Sequence, residues 1–129
     1  MKQGLVLVDT CAWIDFFRNA SGVLGSQLAK LIETDRAAIT GVVVAELLQG
    51  SKTDKERQTL EFVFASVAYL NTEEQDWRDA GLTMRELRQK GITLPLSDAI
   101  IAMVAKRHEA TILSIDKHFQ QLPVALYPD

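Results

Sequence analysis

Apolar residues fall along this chain in two rhythms, short unbroken runs and helically spaced stripes, and their alternation predicts an α/β domain. The first run, Gly4-Leu5-Val6-Leu7-Val8, is closed by Asp9-Thr10 and fits a parallel strand covered on both faces. Trp13, Phe16 and Phe17 follow at i, i+3, i+4, the spacing of a short helix with one apolar face, and core packing is their expected role. Asn19-Ala20-Ser21-Gly22 punctuates the chain. Leu24, Leu28, Leu31 and Ile32 then form a second stripe, with Lys30 and Glu33 outside it. Ala37-Ala38-Ile39-Thr40 is a weaker strand. Val42 to Leu48 reads as a helix stopped by Gly50, with a strand running on from Thr40 as the alternative.

In the second half, Asp54 is placed to cap a helix carrying Leu60, Val63 and Phe64, and Val67-Ala68-Tyr69-Leu70 reads as a strand. Thr72-Glu73-Glu74-Gln75 has the form of a capping box. The long helix it opens carries Trp77, Ala80, Met84 and Leu87 inward and stops at Gly91, with Arg88 and Lys90 against its negative end. A loop containing Pro95 leads to Ser97-Asp98, which start a helix so apolar from Ala99 to Ala105 that it must be buried nearly all round. Thr111 to Ile115 is a strand ending on Asp116, and Val124 with Leu126 suggests a further edge strand. Strands alternating with helices imply right-handed crossovers, hence a three-layer α/β/α domain with a central, mainly parallel sheet.

Length and composition narrow this picture. A chain of 129 residues is one ordinary domain, so residues 1–129 are expected to form a single unit. Hydrophobic content of 47% and charged content of 24% exclude disordered and collagen-like classes. The opening apolar run is too short for a signal peptide and no segment has the ~20 apolar residues of a membrane span, so a cytoplasmic, non-membrane protein is expected. One cysteine, Cys11, leaves no internal disulfide. A net charge of −3 argues against broad, non-specific nucleic-acid binding.

The candidate chemistry lies in the acids. Asp9 and Asp116 each end a strand, and Glu46 and Asp98 each sit on a helix that is otherwise apolar. In open α/β sheets ligands collect beyond the C-terminal ends of the strands, which is where Asp9 would lie. Each acid also has a structural alternative. Asp9 and Asp98 can serve as helix caps or favour a helix dipole, and Glu46 can face water, opposite Val44, Leu47 and Leu48. Should all four meet, they would repel one another and one would hold a proton at neutral pH, a conflict that a divalent cation removes. Oxygen ligands select magnesium or manganese over zinc, and such ions activate water for in-line displacement at a phosphodiester.

These residues carry a resemblance that covers the whole chain, to the PIN-domain ribonucleases and within them to the VapC toxins of toxin–antitoxin pairs. Leu7-Val8-Asp9-Thr10 with Trp13-Ile14 resembles the family's opening motif, and Val44-Ala45-Glu46-Leu47 its helix acid. Leu96-Ser97-Asp98-Ala99-Ile100-Ile101-Ala102 is similar to the third motif and Leu113-Ser114-Ile115-Asp116-Lys117-His118-Phe119 to the fourth. The resemblance implies that Asp9, Glu46, Asp98 and Asp116 hold Mg2+, or Mn2+, and activate the attacking water. It also implies an RNA substrate, a cognate antitoxin that sets a basic side chain among the acids, and a homodimer. Thr10, Ser97 and Ser114 are the hydroxyls expected to support the acids, with helix capping as the alternative for Thr10 and Ser97. Ser114 stands where many relatives have threonine. Bound cations would answer the charge objection, and Lys106, Arg107 and Lys117, or Arg78, Arg85 and Arg88, could hold an RNA backbone, with a solvated face balanced by Glu74 and Glu86 the favoured alternative for the latter three.

Other chemistries fit less well. A Cys11 nucleophile with His108 or His118 has no local signature behind it. An aspartyl phosphatase would carry a second acid at position 11, where this chain has Cys11, and a receiver domain would close its last strand with lysine where this chain has Asp116. The rival from another class is a catalytically idle PIN-like module that binds RNA or protein.

Overall fold

The computed structural model describes residues 4–19 and 21–128. Four short parallel strands form its sheet: β1 (Val6–Val8), β2 (Ala37–Thr40), β3 (Ala68–Leu70) and β4 (Thr111–Leu113). Six α-helices connect them: α1 (Thr10–Arg18), α2 (Val23–Glu33), α3 (Gly41–Gly50), α4 (Asp54–Ser66), α5 (Glu74–Gln89) and α6 (Leu96–Arg107). The sequence at positions 42–48 is therefore helical, and the strand alternative falls. Every residue of β1 and β2 is buried, which is why both read as unbroken apolar runs.

Strand order is β3-β2-β1-β4. From β1 the chain steps through α1–α2 to β2 and through α3–α4 to β3, always in one direction; it then reverses through α5–α6 to β4 on the other side of β1. Right-handed crossovers therefore place the first four helices on one face and α5–α6 on the other, giving the three layers. The reversal falls between β1 and β4, where Val8 pairs with Leu113. Their C-terminal ends form the crevice in which doubly wound sheets take ligands. α6 covers that pair of strands and is buried at every residue from Asp98 to Ala105. Trp13 and Phe119, both without exposure, are the largest side chains of the core.

Several boundaries moved. Thr53, not Asp54, caps α4, accepting from the Glu56 N–H at 3.1 Å. The capping box at α5 pairs Glu73 with Asp76, one residue past the expected Thr72–Gln75 frame. That shift follows from Asp76 being held at the same time by Arg107 of α6. It also turns Trp77 outward, to 52% exposure, against the expectation of an inward side chain. Gly91, at φ +80°, ends α5 as its position suggested. α6 starts at Leu96 behind a Pro95 cap, so Ser97 and Asp98 lie inside its first turn. β4 stops at Leu113, and Lys117–Gln121 forms a short 3-10 turn that the apolar pattern did not reveal. Leu126 makes an isolated parallel bridge to Ile112, the remnant of the expected edge strand.

Candidate metal centre

Asp9 leaves the end of β1 with its backbone N–H donating to the Leu113 carbonyl of β4 at 3.0 Å. It occupies the N-cap position of α1, yet its carboxylate makes no capping bond. Oδ2 instead accepts from Ser114 Oγ at 2.9 Å and from the Cys11 thiol at 3.1 Å. The simple cap alternative for this acid is thus excluded: a carboxylate at 3% exposure faces the crevice between β1 and β4. Ser114 organises the rest of that edge, because its Oγ also accepts the backbone N–H of Asp116 at 2.9 Å. This hydroxyl thus bonds both the Asp9 carboxylate and the Asp116 backbone.

Asp98 enters from the first turn of α6 and is buried. Burial pushes its carboxyl above the ordinary range; the hydrogen bond from His118 opposes this, and the charges of Asp9 and Asp116 push it further up. Asp9 stands outside the tightest group of ligand atoms and joins this edge through Ser114, which bonds both its carboxylate and the Asp116 backbone. Asp116 lies half-buried, past the end of β4, where its Oδ1 accepts the His118 backbone N–H at 2.9 Å. His118 Nδ1 is 2.8 Å from Asp98 Oδ2 and 3.0 Å from Asp116 Oδ1. Hydrogen bonding to Asp98, reinforced by the charges of Asp116, Asp98 and Asp9, raises the imidazole above its usual value despite some desolvation. Ligand atoms of Asp98, Asp116 and His118 all lie within 4.8 Å of one another.

Glu46 reaches the same rim from α3 but stands apart from that trio. It is exposed, and its Oε1 accepts the Thr10 hydroxyl at 2.8 Å. Thr10, the residue after Asp9, is therefore the link between Glu46 and the buried acids. Glu46 thus faces solvent, as one of its two alternatives had it, and is tied to the end of β1 through Thr10. Among the described residues the bonds that hold the acids come from Ser114, Cys11, Thr10 and His118, and none from Ser97.

His118 is the residue the sequence reading left out of the site. Its signal was present, two positions past Asp116 in a polar stretch, but only the 3-10 turn aims it back at Asp98. A nucleophilic Cys11 is disfavoured: its thiol donates to Asp9, and burial, with smaller contributions from Asp9, pushes it up to about 11, against the lowering effect of Ser114. Of the basic side chains, Arg107 is committed to Asp76, Glu73 and the Asn71 carbonyl, and Arg78 to Glu74. Lys106 is eight residues along α6 from Asp98, about 12 Å at 1.5 Å per residue, so it sits at the opposite edge of the domain. Lys117 alone of that group stays beside the acids.

Beside Glu46 the surface opens into a groove of about 620 Å³ lined by Ile14, Phe17, Leu47 and Leu60, with Arg18 and Lys55 among its polar residues. Phe17, at 40% exposure, belongs to this groove more than to the core, whereas Trp13 is fully buried as expected.

A PIN-domain family model matches residues 6–125. A VapC ribonuclease of Mycobacterium bovis, Mb1587, is 31% identical over 119 residues, covering 89% of both chains, and Ribonuclease VapC11 of Mycobacterium tuberculosis matches to the same extent. Among solved structures, DNA-bound VapBC from Salmonella typhimurium aligns with a TM-score of 0.81 at 19% identity over 96% of each chain. VapBC2 of Rickettsia felis, bound to a promoter fragment, aligns at 0.78 and 22%, over 95% of this chain and 96% of that one. These last two likenesses carry the fold alone, a three-layer α/β sandwich. The family match over nearly the whole chain and the 31% identical relatives place this protein in the PIN-domain family, within its VapC ribonuclease branch.

Proposed function

We propose that this protein is a divalent-cation-dependent endoribonuclease that hydrolyses RNA phosphodiester bonds as the toxin of a type II toxin–antitoxin pair. The single observation that carries the proposal is the gathering of Asp98, Asp116 and His118 ligand atoms within 4.8 Å at the end of β4, with Asp9 tied to the same edge through Ser114 and Glu46 through Thr10. Three acids in one partly buried basin are tolerated only if protonated, paired or metal-bound. The donor set fits a hard or borderline ion such as Mg2+ or Mn2+, with no thiolate available at Cys11.

Asp9, Asp98 and Asp116 would hold the ion, and Glu46 would reach it or its waters from the rim. The chemistry supplied by a bound divalent cation is activation of water and neutralisation of charge on the scissile phosphate. The chain's own residues do the positioning. Ser114 fixes Asp9 and the backbone of Asp116 in one register, Thr10 holds Glu46 against the end of β1, and Lys117 offers a cation to the incoming backbone.

The antitoxin belongs to the same reading. Glu46 lines the same groove as Ile14, Phe17, Leu47 and Leu60, so an amphipathic segment laid along it would bring a basic side chain to that acid. We expect the toxin to act in the cytoplasm and as a homodimer, which light scattering of the purified chain would check.

The test is RNA cleavage by the purified chain with magnesium, with manganese and with chelator. Cleavage that chelation abolishes and either ion restores supports the proposal; intact RNA in every tube would instead support the idle binding module. Sequencing of RNA ends after induction then identifies the substrate.

A further inference from the structure

The acid centre holds one nitrogen donor among the described residues, and it is firmly placed. His118 Nδ1 stands 2.8 Å from Asp98 Oδ2 and 3.0 Å from Asp116 Oδ1. Adjacent corners of an octahedron with metal–ligand bonds of about 2.1 Å lie about 3.0 Å apart. Both nitrogen–oxygen spacings are thus those of neighbouring ligands, and the two carboxylates offer oxygens within 4.8 Å of each other. The backbone holds the ring there. His118 follows the N-cap residue Asp116, its N–H donates to Asp116 Oδ1, and the next side chain, Phe119, is wholly buried beneath the turn.

We propose that His118 Nδ1 releases to solvent the proton it shares with Asp98 and becomes a direct ligand of the divalent cation held by Asp98 and Asp116, its remaining hydrogen on Nε2, which makes the centre a mixed nitrogen and oxygen site. The inference rests on the metal-dependent reading above and goes beyond its four acids. Its consequence is ion choice. Mg2+ is a hard ion that takes oxygen ligands and keeps its waters, whereas Mn2+ and later first-row ions accept imidazole increasingly well. The three donors together therefore favour Mn2+ over Mg2+, and the imidazole is the origin of that preference.

Titration of the full chain with each ion alone, by calorimetry, measures the preference, and pulsed EPR of the Mn2+ adduct detects nitrogen coupling. The expected result is Mn2+ bound at least about tenfold tighter than Mg2+, with nitrogen modulation from the bound Mn2+. In His118→Ala the modulation disappears and Mn2+ affinity falls by about tenfold, while Mg2+ affinity changes by less than about threefold. The side chain is 42% exposed, so the variant is expected to fold, and His118→Asn, which offers an oxygen in the same place, controls for lost volume. The other histidine, His108, caps the far end of α6 and cannot supply the signal.

Mn2+ binding without coupled nitrogen, or an unchanged ion preference in His118→Ala, overturns the proposal while leaving the acid centre standing, provided that Asp98→Asn abolishes binding. Failure of the wild-type chain to bind either ion would overturn both.

Discussion

Asp98→Asn separates the charge of the acid centre from its shape. In the metal-free protein the substitution relieves repulsion between Asp98 and Asp116, whose ligand atoms lie within 4.8 Å. At that distance two unit charges repel by about 3.5 kcal/mol at an effective dielectric of about 20, and by about 1 kcal/mol in water. Asp116 keeps 34% side-chain exposure, which draws the value toward the lower figure. Against this relief stands the charge-assisted bond from His118 to Asp98, worth about 1.5–3 kcal/mol, part of which an amide oxygen retains. The two effects nearly cancel, so metal-free stability should stay within about 1 kcal/mol of wild type, or about 4 °C in Tm for a domain of this size. With magnesium the two proteins part. An ion at about 100 times its Kd stabilises the wild type by about 2.7 kcal/mol, roughly 10 °C, through binding only the native state. Differential scanning calorimetry with and without magnesium, paired with an RNA cleavage assay, reads both effects. The variant is expected to show no cleavage and no magnesium-dependent shift. An Asp98→Asn protein that still cut RNA, or that rose with magnesium as the wild type does, would refute the placement of this carboxylate on the ion.

Ser114→Ala removes the donor to Asp9 and the acceptor for the Asp116 N–H, and should cost about 1–3 kcal/mol together with most of the activity; Ser114→Thr should retain both, as measured by urea unfolding and cleavage. Cys11→Ser keeps a hydroxyl donor to Asp9 and should remain active, which a thiol nucleophile would forbid. Asp76→Ala leaves Arg107 without its buried partner and should cost about 3 kcal/mol, the lower end for such pairs because Arg107 keeps 28% side-chain exposure. Burial raises the Asp76 carboxyl, but the hydrogen bonds from Arg107 and the Glu73 N–H outweigh it and hold the group below its ordinary value. Its folded pKa is thus below the unfolded one, so its contribution is complete above about pH 4 and is lost as pH falls through the folded value. Acid unfolding of wild type against Asp76→Asn would show this as a smaller stability loss below pH 4 in the variant.

What the sequence determined by itself was periodicity and punctuation. Unbroken apolar runs fix β1 and β2 as strands buried on both faces, the helical stripe from Ala99 to Ala105 fixes α6 as a central helix, and Gly91 fixes where α5 ends. The acids Asp9, Glu46, Asp98 and Asp116 stood out because each interrupts or closes an apolar segment, where a bare charge is costly.

Local pattern could not fix what depends on residues far apart in the chain. The capping frame at α5 was off by one because Arg107, thirty-one positions from Asp76, selects which acid is used. Trp77 faces water for the same reason. Lys106 looked close to Asp98 in the sequence, yet a helix separates its two ends, whereas Asp9 and Ser114 share a hydrogen bond across 105 residues. The tertiary structure decided that meeting through strand order: β4 returns to pair with β1, and the ends of those two strands, with the first turn of α6 above them, can only converge at the reversal. It also decided the place of His118, since a 3-10 turn anchored by Phe119 leaves no periodic trace in the sequence and yet aims the imidazole at Asp98.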